Sequence, residues 1–283
     1  MADNDQEALI VYSSPAGTTR HVAEAIKATI EGAGCAAEMF DLGNKDDCQY
    51  LGANVGELST DSCLWIGSPV YTGHAVPPVT DFIAKLPQSK SGCAVPFVTW
   101  GAVSSGLALY EMGQQISEKG YRLVGAAKIA AVHSMMWQVD DPLGRVHPDS
   151  ADDAKIRVLA ENVSAKLKAG SFDPYPVDGL NYQPESVQGA MQAMSIETAK
   201  QLFPPLEVDT QLCDQCGECE NLCPAQAITF GPYPQIGEHC FLCFNCVRLC
   251  EKAAFKIDLS QSEDMLRGMA EEYAEQPLSE IFV

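Results

Sequence analysis

The chain runs to 283 residues, 46% hydrophobic and 20% charged, enough for one sizeable domain and a smaller one. Its 38 acidic residues against 18 basic ones give a formal charge of −20 at pH 7, a surface field that repels nucleic-acid phosphates and anionic membranes. No stretch approaches the roughly 18 apolar residues of a membrane span, and the acidic opening Met1–Glu7 lacks a signal-peptide pattern, so a cytoplasmic protein with reduced thiols is expected.

Behind that acidic leader, Ala8 to Ser13 is a short apolar run, and Val22, Ile26 and Ile30 then recur at helical spacing. The loop between them carries Ser13, Ser14, Thr18 and Thr19 around Gly17, placed where the N–H groups of a helix N-terminus would face a phosphate monoester. An ordinary N-capped helix is the alternative, and the spacing matches neither the dinucleotide fingerprint nor the P-loop. Strands are expected at 35–42, 62–67, 93–100 and 123–132, with helical stripes between them. These stripes are Val76/Val79/Phe82/Ile83/Leu86, Leu109/Met112/Ile116 and Ile156/Leu159/Val163/Leu167. Five alternating strands predict an α/β fold with a doubly wound parallel sheet, which binds ligands at the carboxyl ends of its strands.

Two further loops leave those ends. One is Gly67-Ser68-Pro69-Val70-Tyr71-Thr72-Gly73, the other Thr99-Trp100-Gly101, and each sets an aromatic beside glycine. Such a pair offers stacking surface and close backbone approach to a flat ring, although either aromatic alone reads equally as sheet-edge packing. After the fifth strand, His133 opens a loop to about Ser150 that is long enough to line a substrate pocket. His21, His74, His133, His147 and His239 have no ligand-like spacing and read as solvated or packing groups. Cys35, Cys48, Cys63 and Cys93 read as small apolar residues.

From Gly170 to Pro184 the composition turns to Asp-Pro-Tyr-Pro, Asp-Gly and Gln-Pro, which is linker chemistry. Val187, Met191, Met194 and Leu202 then predict one helix over 187–203, docking between domains and stopped by Pro204-Pro205. Eight of the twelve cysteines follow within 38 residues, as C-x2-C-x2-C-x3-C-P and again as C-x2-C-x2-C-x3-C. At an offset of 27 the two runs superpose, Cys213/Cys240, Cys216/Cys243, Cys219/Cys246 and Cys223/Cys250. Three thiolates in one loop and a fourth from a distance suit a [4Fe-4S] cube better than the tetrahedra of zinc, the competing metal. An acidic amphipathic helix over 263–273 and the terminal Ile281-Phe282-Val283 read as a tail docked on its own chain or as a partner-binding segment.

The residues Y-S-S-P-A-G-T-T-R at 12–20, I-G-S-P-V-Y-T-G at 66–73 and T-W-G at 99–101 resemble the three cofactor loops of flavodoxins over roughly residues 8–169. Ser-Pro-x-Gly-Thr-Thr followed by a doubled ferredoxin motif resembles a family of flavodoxin and ferredoxin fusion proteins of anaerobic microbes. The resemblance implies a flavodoxin-like five-stranded sheet in the order 2-1-3-4-5 with a small α+β ferredoxin-like domain behind it. It divides the chain into an FMN-binding domain at 1–170, a linker with a docking helix at 171–205, a two-cluster domain at 206–260 and an acidic tail at 261–283. It implies FMN held by Ser13, Ser14, Pro15, Ala16, Gly17, Thr18 and Thr19 at its phosphate, and by 68–73 and 99–101 at its ring, with Tyr71 and Trp100 against the isoalloxazine. From bacterial two-cluster ferredoxins it implies crossed ligation, Cys213, Cys216, Cys219 and Cys250 on one cube and Cys240, Cys243, Cys246 and Cys223 on the other. Ala16 stands where many flavodoxins carry Thr, and Glu251 where Pro often follows the fourth cysteine.

The function expected is an electron carrier between two [4Fe-4S] clusters and FMN, serving redox-protein partners. An FMN-dependent reductase of a quinone or nitro compound and a zinc-stabilised interaction module are the alternatives. No residue stands out as a general acid or base, so none is nominated as catalytic.

Overall fold

The computed structural model describes residues 8–55 and 62–283; the acidic leader lies outside the described residues. Strand and helix alternate through β1 (Ala8–Tyr12), α1 (Thr18–Gly32), β2 (Ala37–Asp41), α2 (Lys45–Asn54), β3 (Cys63–Tyr71), β4 (His74–Ala75), α3 (Pro77–Lys85), β5 (Cys93–Trp100), α4 (Ala108–Glu118), β6 (Arg122–Leu123), β7 (Ala126–Ala130) and α5 (Ser150–Lys168). The five parallel strands lie side by side as β2-β1-β3-β5-β7, with β4 and β6 as short additions to β3 and β5. Because β1 and β3 are buried on both faces, their alternate side chains feed two cores. Leu9, Val11, Leu64 and Ile66 meet α3 and α4 on one side, while Ile10, Trp65, Val22, Ile26 and Leu159 pack with α1 and α5 on the other. Cys63 and Cys93 are buried in the second of these cores.

The sheet does not stop at five strands. After β8 to β11, given below, β12 (Glu280–Phe282) pairs antiparallel with β7 and covers its open edge. Phe282 is clamped there between Tyr182, stacked at a centroid distance of 5.4 Å, and the edge of Tyr175. The 170–184 segment, linker by composition, therefore lies on the sheet domain, with Leu180 buried against Gly113.

The predicted helix over 187–203 is two helices, α6 (Glu185–Gln192) and α7 (Ile196–Leu202). The cause is Ser195, whose Oγ accepts the Thr198 amide at 3.0 Å and starts a new helix. The cysteine runs form β8 (Glu207–Val208), α8 (Glu218–Asn221), β9 (Ile228–Phe230), β10 (Pro234–Ile236), α9 (Asn245–Arg248) and β11 (Phe255–Lys256). The segments after the two fourth cysteines each pair with the strand preceding the opposite run, β11 with β8 and β9 with β10. Each half thus completes the other, as a 27-residue repeat with a pseudo-twofold requires. Last comes α10 (Ser260–Tyr273). No helix among the described residues is long and apolar enough to cross a membrane.

Candidate functional site

The loops after β1, β3 and β5 converge, as sheet topology demands, on one cavity of about 810 Å³. Ala16, Thr18 and Thr19 line it from the first loop, 69–73 from the second and Thr99, Trp100 and Gly101 from the third. Ser13, Ser14, Pro15, Gly17 and Ser68 lie behind this lining.

Gly17, the residue before α1, stands at φ 89° and offers no side chain to the helix N-terminus. Ser14 Oγ accepts from Arg20 N at 2.8 Å, and Thr19 Oγ1 pairs with Thr99 Oγ1 at 2.7 Å, which ties the first loop to the third. Ser13 is fully buried and its Oγ has no hydrogen-bond partner. The N–H groups of Thr18 and Thr19 at the start of α1, beside an orphaned buried hydroxyl, fit an anion, so the donor set is compatible with a phosphate monoester.

In the second loop Tyr71 is half-buried, its ring 5.9 Å from that of Phe241. Ser68 Oγ instead serves the fold, accepting from Val76 N at 3.0 Å. Thr72 and Gly73 turn at positive φ, and a Cβ on Gly73 would strike Met191 of α6. In the third loop Trp100 is almost wholly buried and its indole N–H donates to the Leu278 carbonyl at 2.8 Å. It therefore presents an edge of limited area to the cavity, less than a stacking platform would.

The fourth wall comes from elsewhere. His133, beyond β7, lines the cavity half-buried, and desolvation of its ring pushes the imidazole down to about 4. A Cβ on Gly101 would sit 2.5 Å from the His133 ring, so glycine is required for this approach. From α6, α7 and α10 come Met191, Met194, Leu202, Met265 and Met269. From the second cysteine run come Phe241 and Leu242.

His74 pins α6 in place. Its Nδ1 lies 2.9 Å from Glu111 Oε2 and its Nε2 2.9 Å from the Met191 carbonyl, so both nitrogens face acceptors. The Glu111 hydrogen bond leads the raising of its pKa, with burial opposing and carbonyls at the helix C-terminus assisting. A raised folded pKa gives stability that is complete below about 6.5, the unfolded value, and is lost as pH rises through the folded value. Hydrogen exchange in α6, corrected for intrinsic rate, is expected to accelerate across that window, and His74→Phe to abolish the pH dependence.

The cysteine loops repeat in their backbone as well as in their spacing. Gln215 and Leu242, Gly217 and Phe244, and Gln226 and Ala253 all have positive φ, each pair 27 residues apart. Ala227 N donates to Cys223 Sγ at 3.3 Å, and Ala254 N to Cys250 Sγ at 3.4 Å. Cys223, Cys240, Cys243 and Cys246 are close enough to act on one another electrostatically, and so are Cys213, Cys216 and Cys219. Cys250 packs in the small core beside Cys219 and Cys223. Burial first, then neighbouring sulfurs, pushes Cys219 up to about 11 and Cys243 up to about 12. Such thiols ionise together only around a cationic core.

A tetrahedral zinc with bonds of ~2.3 Å holds its sulfurs about 3.8 Å apart. Among the described residues the trio of ligand atoms within 4.8 Å of one another is His147, Asp149 and Asp152, and no three cysteines meet that limit. The trio is the cap of α5, where Asp149 accepts from Ala151 N and Asp152 pairs with His147 at 2.6 Å.

Sequence reasoning missed two contacts. Arg248 of α9 donates from Nη2 to the Pro15 carbonyl at 2.9 Å, joining the second cysteine run to the first loop. Glu275 and Lys128 form a buried ion pair at 2.9 Å. Arg248 is a lone base in a cysteine run, and its partner is 233 residues away, so no local signal marks it.

Residues 206–228 match the family model of a 4Fe-4S binding domain. A comparison with curated proteins found no match. Among solved structures the chain is similar to rubredoxin oxygen:oxidoreductase from Desulfovibrio gigas, at 16% identity and TM-score 0.45, covering 58% of this chain and 36% of that one. It is also similar to a flavodoxin from the domain Archaea, at 20% identity and TM-score 0.41, covering 58% and 99%. A third is two-electron reduced Megasphaera elsdenii flavodoxin, at 21% identity and TM-score 0.38, covering 56% and 98%. The chain thus spans about a third of the length of the D. gigas protein.

Proposed function

We propose that the chain is an electron-transfer flavo-iron-sulfur protein that moves electrons between two [4Fe-4S] clusters and FMN. The observation that carries this reading is that the second cysteine loop, through Phe241 and Leu242, lines the same cavity as the three strand-end loops. The clusters and the flavin supply the redox chemistry; the chain holds them close and sets their surroundings.

Ser13 and the N-terminus of α1 hold the phosphate, with Ser14, Pro15, Ala16, Gly17, Thr18 and Thr19 shaping the loop. The segment 68–73 and Thr99, Trp100 and Gly101 hold the ring, with Tyr71 as its principal face and Trp100 as an edge contact. Cys240, Cys243, Cys246 and Cys223 carry the inner cluster, and Cys213, Cys216, Cys219 and Cys250 the outer one. Tyr71 spans the gap between centres: it packs on Phe241 and feels the charge of Cys243. The division at 1–170, 171–205, 206–260 and 261–283 describes the functional parts, the last folding back onto the first.

Partners meet the outer cluster. Cys216 is exposed, and Leu212, Leu222 and Leu249, each next to a ligand cysteine, are exposed as well. A basic redox protein with an apolar patch fits this face, and its association weakens with salt.

Arg248 tests the link between the two halves. Arg248→Met removes a charge-assisted hydrogen bond to the phosphate loop, and the Kd for FMN is expected to rise about tenfold, close to the ~1.5–3 kcal/mol of such bonds. Fluorescence titration of FMN into cluster-loaded protein checks it. An unchanged Kd would break the link between Arg248 and the flavin.

A further inference from the structure

The cavity reaches well past its three loops. Beside the second and third loops stands a methionine-rich wall: Met191, packed on Gly73, and Met194 from α6 and the turn after it, Met265 and Met269 from α10, and Met135 from the segment after β7. Five of the nine methionines in the chain therefore line this one space. Methionine is the unbranched, polarizable side chain that fits itself to flat apolar surfaces. The wall opens outward, for Met265 is 46% and Leu202 66% exposed.

Charge narrows the occupant. No lysine or arginine is among the described lining residues, and Asp258 is there, in a chain of formal charge −20. A pyridine nucleotide, with its two phosphates, does not fit this end, nor does a carboxylate substrate. One polar group does face a neutral guest. His133 Nδ1 accepts from Met135 N at 3.3 Å, so the neutral ring carries its proton on Nε2, which has no partner among the described residues. Burial keeps that ring neutral. It is a hydrogen-bond donor without a charge, suited to a carbonyl oxygen.

We infer that the methionine-walled end binds a neutral, planar, apolar molecule with an accepting oxygen, of the quinone class, with His133 Nε2–H on that oxygen. The inference rests on the flavin reading and assigns it a small-molecule acceptor. Two electrons from a one-electron protein donor, which bound clusters and FMN would relay, and two protons from solvent, one to each carbonyl oxygen, would convert quinone to hydroquinone. No anion is formed or released, as the absence of a cation at this end requires.

The test uses oxidised, cluster-loaded protein whose iron and FMN are counted first. It is titrated calorimetrically with 2,3-dimethyl-1,4-naphthoquinone, whose blocked ring positions do not add thiols, and with a ring-sulfonated derivative of it. Binding of the neutral quinone is expected, with the sulfonate at least tenfold weaker. Met265→Glu, at an exposed position that tolerates charge, is expected to weaken the neutral quinone about tenfold with iron and FMN content unchanged. His133→Phe is expected to weaken it severalfold and His133→Gln, which keeps a donor, to restore it. Equal binding of the two probes, or wild-type binding in Met265→Glu, overturns the inference. Preparations that refuse FMN but still bind the neutral quinone would sink the flavin reading and leave the methionine wall standing.

Discussion

Replacing Glu275 by alanine is expected to cost the fold about 3–5 kcal/mol, the loss typical of a buried pair robbed of one partner. Lys128 is 1% exposed and Glu275 7%, so the remaining ammonium has no water to turn to. It keeps the Tyr182 ring at 4.4 Å and the partly exposed Glu280 carboxylate at 3.7 Å, contacts too weak to replace the buried carboxylate. Glu275 also accepts from Ser105 N and Gln183 Nε2, both at 2.8 Å, and from the Ser105 hydroxyl. One carboxylate thereby gathers the loop after β5, the 182–183 segment and the tail. Burial by itself raises its pKa, but the hydrogen bonds from Ser105 and Gln183 and the Lys128 charge hold it below the ordinary carboxylate value. A depressed folded pKa gives stability that is complete above about 4.5 and lost as pH falls through the folded value, so the tail contact is acid-sensitive. In Lys128→Met/Glu275→Leu only part of the loss is recovered, because the Ser105 and Gln183 donors stay unpaired. Urea unfolding checks both variants, and a loss below about 1 kcal/mol in Glu275→Ala would show that the network is not buried in solution.

The second large effect concerns which cysteines share a cluster. Cys223 belongs to the first run by sequence, yet it sits among Cys240, Cys243 and Cys246, all three of which feel its charge. Cys223→Ala is therefore expected to lose the inner cluster and about half the iron, and to leave the same electron paramagnetic resonance signal as Cys246→Ala. Cys250→Ala is expected to match Cys216→Ala instead. The inner-cluster variants should also slow reduction of FMN by a protein donor by several orders of magnitude, since the loop beside Tyr71 is then emptied. If Cys223→Ala matched Cys216→Ala, each run would hold its own cluster and the crossed arrangement would be wrong.

The legible parts of the site were those encoded locally. Three of the four thiolates expected on one cube stand at two-residue intervals, so the runs at 213–223 and 240–250 point to a cluster by spacing alone. The strand-end loops were legible for a similar reason, since glycine beside an aromatic and hydroxyls before a helix are short-range signals. The break at Ser195 was there to be read as an N-cap, but the methionine stripe at 187–202 continues through it and masks it. Position-specific partners were not legible. Glu275 meets Lys128 across 147 residues, and β12 is three apolar residues that become a strand only because β7 offers an open edge. His74 reads as a packing histidine until Glu111 and the α6 carbonyls are placed around it. The composition of 170–184 suggested a free linker, yet a 3-10 turn at Val177–Leu180 and the packing residues Leu180 and Tyr182 among its turn residues hold it on the sheet domain.

The coupling of an inner cluster to FMN is tested most directly by counting cofactors. Anaerobically purified protein, incubated with FMN and then desalted, is analysed for iron, acid-labile sulfide, zinc and flavin per chain. Two cubes and one flavin predict about eight irons, about eight sulfides and about one FMN, with zinc at background. Zinc in place of iron, or cubes without retained FMN, would contradict the account.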